Sequence, residues 1–374
     1  MVRVALDGMS LSRQGRGVAR VLQHVLPLLT GDPRLDCVIL STEEGREFLD
    51  FPSAKFNISH PMFHSAWEQF GLPWHARRVQ ADVIYSHAEC GPTWGPPVLL
   101  HVPEDPFVRW NGFKAASSRE RARRAYQRLT IRRGLYHASF LATSSSACRS
   151  ELQNRFGRRL GEVSVVPLGV DTQLFHPNLS GTGGESIFHL SSVEARDMTE
   201  LVVRAYARAL SLAPDLPDLF IGGNLGAQYE QICHTARETG VEQRLHLLGR
   251  ISDEELRQRY ASASVCVQPS QYEGFGLQPL EALACGAPLV ISPEPSVQEV
   301  VGDAAVIARD SSEISLADCI AKLWCDKAQM SSLRKQGPTR AAQFSWERTS
   351  TLLADLLLKL AQNKTVSLSL TTES

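Results

Sequence analysis

"SQYEGFGLQPLEALACGAPLVIS" (residues 270–292) sets a Gly-Phe-Gly turn between two acids, Glu273 and Glu281. The run before it, "VCVQPS", reads as a short buried strand. "PLEALACG" reads as a short helix, with Pro279 in its first turn and Gly286 as its stop. A strand that turns through glycines into a helix is the unit of parallel α/β sheets. Gly274 and Gly276 allow positive φ and a close approach of backbone to ligand. The N–H groups from Phe275 to Leu280 (Pro279 has none) and the helix dipole behind them make an anion site. Carboxylates would repel a phosphate held there, so both acids are expected to address neutral hydroxyls on either side. A nucleotide diphosphate sugar has that layout. The bland alternative is that Glu281 merely suits the helix dipole and Glu273 is solvated. A lone Gly-x-Gly would favour it, but the order acid–Gly–aromatic–Gly–Leu followed by a second acid is more specific.

The same alternation extends in both directions. "RVALDG", "DCVILS", "ADVIYSH", "PPVLLHVP", "SFLATSS" and "EVSVVPLG" are strand-like runs separated by helical stretches. The pattern then restarts with "ESIFHLSS", "DLFIGGN", "RLHLLGRIS", "PLVIS" and "AAVIAR". Strands alternating with helices predict parallel sheets with crossover helices. The fold class is therefore α/β, two doubly wound Rossmann-like domains facing a cleft, with ligands outside the carboxyl ends of the strands. The expected boundaries are 1–175, a Gly/Ser-rich linker at 176–186, a second domain at 187–343, a closing helix at 344–361 and a flexible tail at 362–374. "SDEELRQRYASA" carries a capping box, Ser252 with Glu255 three residues on.

Composition narrows the classes. The chain has 374 residues, more than one core usually serves. Lys and Arg number 39 against 40 acids, which gives no electrostatic case for nucleic acid as a partner. The eight cysteines show no metal or disulfide spacing and are expected to be small buried hydrophobes in a reducing compartment. "MVRVALDGMS" reads as an immediate first strand without a signal-peptide apolar run, and no stretch is apolar for about 18 residues, so a cytoplasmic location is expected.

With these motifs in hand, the chain resembles the retaining glycosyltransferases of family 4, which have the GT-B fold. "PSQYEGFGLQPLEALACGAPLVIS" with "SVQEVVGDAAV" resembles their E-x7-E signature, and "RQGRGVARVLQHVL" their first Gly-rich loop. "WEQFGLP", "ATSSSACRSELQNRFG", "VVPLGVDTQLFHP", "LHLLGRISDEELRQRYASASVCVQPS" and "FSWERTSTLL" extend the likeness over much of the sequence. The resemblance implies that Glu281 binds ribose and Glu273 the donor sugar. It implies that Gly274, Phe275, Gly276 and Leu277 lend backbone N–H groups, and that Gly249 and Arg250 lie near the base. Gly15, Arg16 and Gly17 would face the cleft from the first domain. His101 in "LLHVPEDPF" would lie close to the transferred sugar, although a lone histidine is more often structural. Glu104 and Asp105 beside it fit a simple turn. The last helix would cross back to the first domain.

One part of the pattern departs. Where the family has basic residues after the first strand of the second domain, this chain reads "IFHLSSVEARDMTELV". Ser191 takes the glycine position and Asp197 the lysine position, leaving Arg196 as the nearby cation. Arg196 substitutes, or a cation comes from Arg250 or Arg16, or the protein is a degenerate relative. The reading is hexosyl transfer, mannose-, rhamnose- or glucose-like, from a nucleotide diphosphate sugar to a saccharide, glycolipid or other small hydroxyl acceptor. No cofactor and no metal is expected. The alternatives are a nucleotide-sugar epimerase or hydrolase, and a non-catalytic binding or assembly partner. Seven arginines between Arg119 and Arg133 fit either a solvated helix or a peripheral contact with the inner membrane surface.

Overall fold

The computed structural model describes residues 1–11, 17–49, 51, 53–105, 107, 118–178, 186–192 and 195–372. The chain forms two compact units, Met1–Gly169 with Trp346–Ser374, and Val170–Ser345.

The first unit is built on seven strands: β1 (Val2–Asp7), β2 (Leu35–Ser41), β3 (Phe56–Ile58), β4 (Val83–His87), β5 (Val98–Val102), β6 (Phe140–Thr143) and β7 (Val163–Val165). Their order is β3-β2-β1-β4-β5-β6-β7, and every pairing is parallel. β4 and β5 are buried along their whole length, as strands covered by helices on both faces must be. β3 was not expected from the sequence. It is three half-buried residues, too few to show an alternation.

The second unit has six parallel strands: β8 (Ile187–Leu190), β9 (Leu219–Gly222), β10 (Leu245–Gly249), β11 (Val265–Gln268), β12 (Leu289–Ile291) and β13 (Val306–Ile307). Their order is β10-β9-β8-β11-β12-β13. Its core gathers Val202, Tyr206, Leu219, Val265, Val267 and Ile320 between sheet and helices. The capping box forms in its first half, with the Ser252 hydroxyl accepting from the Glu255 N–H at 3.1 Å.

Two boundaries differ from expectation. The first unit ends at Gly169, before the Gly/Ser-rich run, because residues 170–178 are tied into the second unit. The Val170 N–H donates to the Phe344 carbonyl, the Asp171 carboxylate caps the turn at Gln173 and Leu174, and Phe175 is buried. Residues 179–185 of the expected linker lie outside the described residues. The closing helix runs Trp346–Thr372, past the expected end at 361, since no Gly or Pro interrupts "NKTVSLSLTT". Residues 373 and 374 of the expected tail lie outside the described residues.

The closing helix belongs to the first unit because its apolar face is covered there. Trp346 stacks on His24 at 4.9 Å, Thr349 donates to the Pro167 carbonyl at 2.7 Å, and Leu353, Leu357 and Leu360 are buried. Leu357→Ala is expected to lower the unfolding free energy of this unit by about 2–5 kcal/mol in urea titrations. Asp355→Ala removes the exposed ion pair with Arg34 and is expected to leave the urea midpoint nearly unchanged.

Candidate functional site

In the second sheet the strand order reverses between β8 and β11, the position outside which ligands bind in open α/β sheets. The loop after β11 is clamped at its base. The Ser292 hydroxyl, at the end of β12, accepts from the Ser270 N–H at 2.8 Å and donates to the Ser270 carbonyl at 2.6 Å. The Ser270 hydroxyl reaches Glu273 Oε1 at 3.2 Å and so fixes that carboxylate. Phe275 is buried edge-on against Phe344, with ring centroids 5.8 Å apart.

Gly276 then turns the chain into the helix Leu277–Ala284 with φ 102°, a left-handed conformation that strains any residue with a Cβ. Gly274, expected to share that freedom, is not among the positive-φ residues. No side chain caps this helix. Its first internal bond runs from the Leu280 N–H to the Gly276 carbonyl, which leaves the N–H groups of Leu277 and Gln278 at its mouth. Glu281 is the fifth helical residue, beyond the first turn, and is 4% exposed. The dipole explanation of Glu281 therefore fails, because that effect falls off within the first turn.

The loop after β8 meets this turn from the other side of the reversal. The Gln271 N–H donates to the Arg196 carbonyl at 3.0 Å, and Arg196 Nη1 stands 3.8 Å from Glu273 Oε2. Asp197, at the position expected to be basic, accepts from the Ser192 N–H at 2.6 Å and holds the loop closed. Met198 sits at φ 53°, a strained conformation worth about 1 kcal/mol or more in a non-glycine, at the entry to the helix Thr199–Leu212. Gly223, after β9, was not singled out in the sequence. A Cβ there would lie 1.9 Å from the Ser191 carbonyl oxygen, so only glycine lets β9 end beside this loop.

Beneath the loop lies a buried chain of hydrogen bonds. His189 in β8 faces the Val267 carbonyl through Nδ1 at 2.8 Å and the Thr199 hydroxyl through Nε2 at 3.1 Å. A carbonyl only accepts, so Nδ1 carries the proton and Nε2 accepts from Thr199. The Thr199 oxygen in turn is bonded to the Ser191 hydroxyl. Burial lowers the His189 pKa to about 4.

The remaining predicted residues are dispersed. Gly249 (φ 67°) and Arg250 end the edge strand β10, with β9 between them and the reversal. Gly17 lies in the first unit as the residue before the helix Val18–Gly31, with φ 64°. Gly15 and Arg16 lie outside the described residues. His101 is the fourth of the five residues of β5, in register with His87 of β4. It is inside β5 and fully buried, between the Tyr85 hydroxyl at 3.4 Å and the Ser144 hydroxyl at 3.2 Å. Burial, with the neighbouring His87, holds its pKa well below the ordinary value and keeps the ring neutral. Asp105 is equally structural, accepting from Arg155 and from the Phe107 N–H.

Two first-unit residues went unnoticed in the sequence. Asp7 ends β1 and accepts from Trp67 Nε1 at 2.9 Å and the Ser86 hydroxyl at 2.8 Å. His87 ends β4, packs edge-on to His101 at 4.5 Å, and has no partner on Nδ1 among the described residues. Burial lowers its pKa to about 3. Both stand where the first sheet reverses, between β1 and β4. The ends of strands flanking a reversal are the one signal that could have found them.

Residues 172–340 match the model of the family described as Glycosyl transferases group 1. The chain is 26% identical over 308 residues to O-antigen chain mannosyltransferase B of Escherichia coli, covering 79% of this chain and 77% of that protein. It spans 52% of a D-inositol 3-phosphate glycosyltransferase from Nocardiopsis dassonvillei and 71% of one from Paenarthrobacter aurescens. Among solved structures it is similar to sucrose-phosphate synthase from Thermosynechococcus elongatus, with TM-score 0.74, 19% identity and coverage of 96% and 99%. It is also similar to Anabaena Alr3699/HepE, solved in complex with UDP-glucose, with TM-score 0.73, 16% identity and coverage of 96% and 100%. At these identities the structures establish the fold, that of the GT-B glycosyltransferases.

His189 gives the second unit a pH dependence of defined sign. Its pKa falls from 6.5 unfolded to about 4 folded, so the unfolded chain binds more protons between those values. Stability is full above pH 6.5 and is lost as pH falls toward 4, by about 3 kcal/mol in total. Urea unfolding of His189→Gln is expected to lose that part of the slope.

Proposed function

We propose that this protein is a retaining glycosyltransferase. It moves a hexose, mannose- or glucose-like, from a nucleotide diphosphate sugar to a hydroxyl of a saccharide, glycolipid or small acceptor. The observation that carries the reading is the meeting of Arg196 and Glu273 across the strand-order reversal, beside an uncapped helix mouth. The family match over residues 172–340 and the similarity to a mannosyltransferase support it.

In this mechanism the diphosphate lies on the N–H groups of Leu277 and Gln278, where backbone donors and the helix end favour negative charge. Arg196 leaves Glu273 for the diphosphate and takes the role that a lysine at position 197 would have had. Glu273, so released, accepts from hydroxyls of the donor sugar. Glu281 accepts from the ribose. Asp197 stays on the Ser192 N–H and keeps the loop in place without facing the phosphates. The bond between the sugar anomeric carbon and the diphosphate oxygen breaks, with its electron pair leaving on the diphosphate. The acceptor oxygen bonds to that carbon on the same face, and its proton passes to the departing diphosphate oxygen. Arg196 and the backbone donors stabilise charge where it develops. Gly249 and Arg250 sit on the same sheet edge and are assigned to the nucleobase side. A non-catalytic binding role is the second reading, favoured by the acid at position 197.

Thermal stability with UDP, GDP, ADP and dTDP separates these readings. One nucleotide at about 100 times its dissociation constant is expected to stabilise the fold by about 2.7 kcal/mol, and Glu281→Ala is expected to lose most of that. Arg196→Ala is expected to reduce turnover about 100-fold or more while nucleoside binding survives. Should no nucleotide shift the melting temperature, the donor site is absent and the second reading stands.

A further inference from the structure

Among the described residues, eleven large apolar side chains are exposed, and five of them fall within residues 62–94 of the first unit. These are Met62 (39%), Phe63 (87%), Phe70 (66%), Trp74 (51%) and Trp94 (39%). Single exposed apolar residues need no explanation, but a cluster of this kind marks a contact surface.

The cluster is held rigidly from behind. Residues 67–71 form a wide π-type turn whose inner side is Trp67, fully buried and fastened to Asp7. Gly71 closes against it, since a Cβ there would lie 2.4 Å from the indole. With that side turned inward, Phe70 and Trp74 are left outward, four residues apart, and Arg77 and Arg78 extend the same exposed stripe. Trp94 is tied to the stripe through its indole N–H, which donates to the Gln69 carbonyl at 2.6 Å. The Arg77 guanidinium lies 4.9 Å from the Trp94 ring and that of Arg78 5.3 Å from the Trp74 ring. The arginine-rich helix Ser118–His137 adjoins the stripe, with the Tyr126 hydroxyl donating to the Ser65 carbonyl at 3.3 Å.

Charge decides the kind of partner. Residues 60–94 and 118–137 together contain nine arginines and four acids, Glu68, Asp82, Glu89 and Glu120, and Glu68 is 3% exposed. Ordered indole and phenyl rings beside guanidinium groups, with arginines outnumbering acids by nine to four, complement a flat anionic layer with an apolar interior. Aromatic rings settle at the headgroup level and arginines are drawn to anionic lipid. No described helix is long and apolar enough to cross a membrane, so the contact would be peripheral.

We propose that this aromatic–arginine face docks the first unit on an anionic lipid bilayer, with Phe63, Phe70, Trp74 and Trp94 entering the headgroup region. The arginine run alone allowed a membrane contact; the structure assigns its apolar anchor to residues 62–94. The assignment is independent of the chemistry proposed for the second unit.

The test is flotation of the full chain with vesicles of phosphatidylcholine containing about one quarter phosphatidylglycerol, against phosphatidylcholine alone. Binding to the anionic vesicles is expected to exceed binding to neutral ones about tenfold or more and to weaken as salt rises from about 0.1 M to about 1 M. Phe70→Ser with Trp74→Ser is expected to cut anionic-vesicle binding about tenfold with an unchanged melting temperature, since both side chains are exposed. Lipids brominated near the headgroup should quench the tryptophan emission of the parent chain. Three results would overturn the proposal: a chain that stays with the lipid-free fraction, vesicle binding indifferent to the double substitution, or a dimer in solution that the same substitution dissociates.

Discussion

Every strand in both sheets runs parallel to its neighbours, and that constraint gathers the chemistry of each unit on one edge. A parallel strand cannot be joined to the next by a tight turn. The chain must leave at the carboxyl end, return through a helix and start again from the opposite edge. All the strand-exit loops of a sheet therefore share a side. Where the order reverses, at β8 and β11, two of these loops meet at the position where such sheets bind ligands. Arg196 comes from one and Glu273 from the other.

Loops that carry function must be held still, and here the holding is done by buried polar groups fully occupied with one another. Ser292 clamps the start of the 270–276 loop, and the His189–Thr199–Ser191 chain ties Ser191 and the start of the following helix to the sheet. In the first unit Asp7 gathers Trp67 and Ser86 at the corresponding reversal. Such groups destabilise a core when unpaired and define one geometry when paired. The same Trp67 contact that orders the interior of the first unit turns Phe70 and Trp74 outward, so the exposed stripe is a consequence of the packing beneath it.

The acid–Gly–Phe–Gly turn was readable because each residue there answers to a local rule: glycine for the left-handed corner, no side chain over the helix mouth, an acid just before the bend. Local rules failed where the cause is distant. Gly274 looked interchangeable with Gly276, yet only Gly276 adopts positive φ. Glu281 looked like a first-turn residue because Pro279 suggested a later helix start, whereas the helix begins at Leu277. The resemblance set His101 of "LLHVPEDPF" near the transferred sugar; the fold puts it opposite His87 with its whole side chain buried. The wide turn at 67–71 leaves no periodic trace, since its inner side is set by Asp7, sixty residues away in the chain.

By itself, then, the sequence determined the α/β class, the restart of the pattern in a second domain, and the turn that holds Glu273 and Gly276. Hydrophobic period, glycine and proline placement are properties of neighbours along the chain, so they can be read along it. Tertiary structure alone decided that Arg196 faces Glu273, that Asp197 serves a backbone N–H in place of a phosphate, that His101 is interior, and that an aromatic stripe faces solvent. Each of these depends on which strands lie side by side, and strand order is set by packing between residues far apart in sequence.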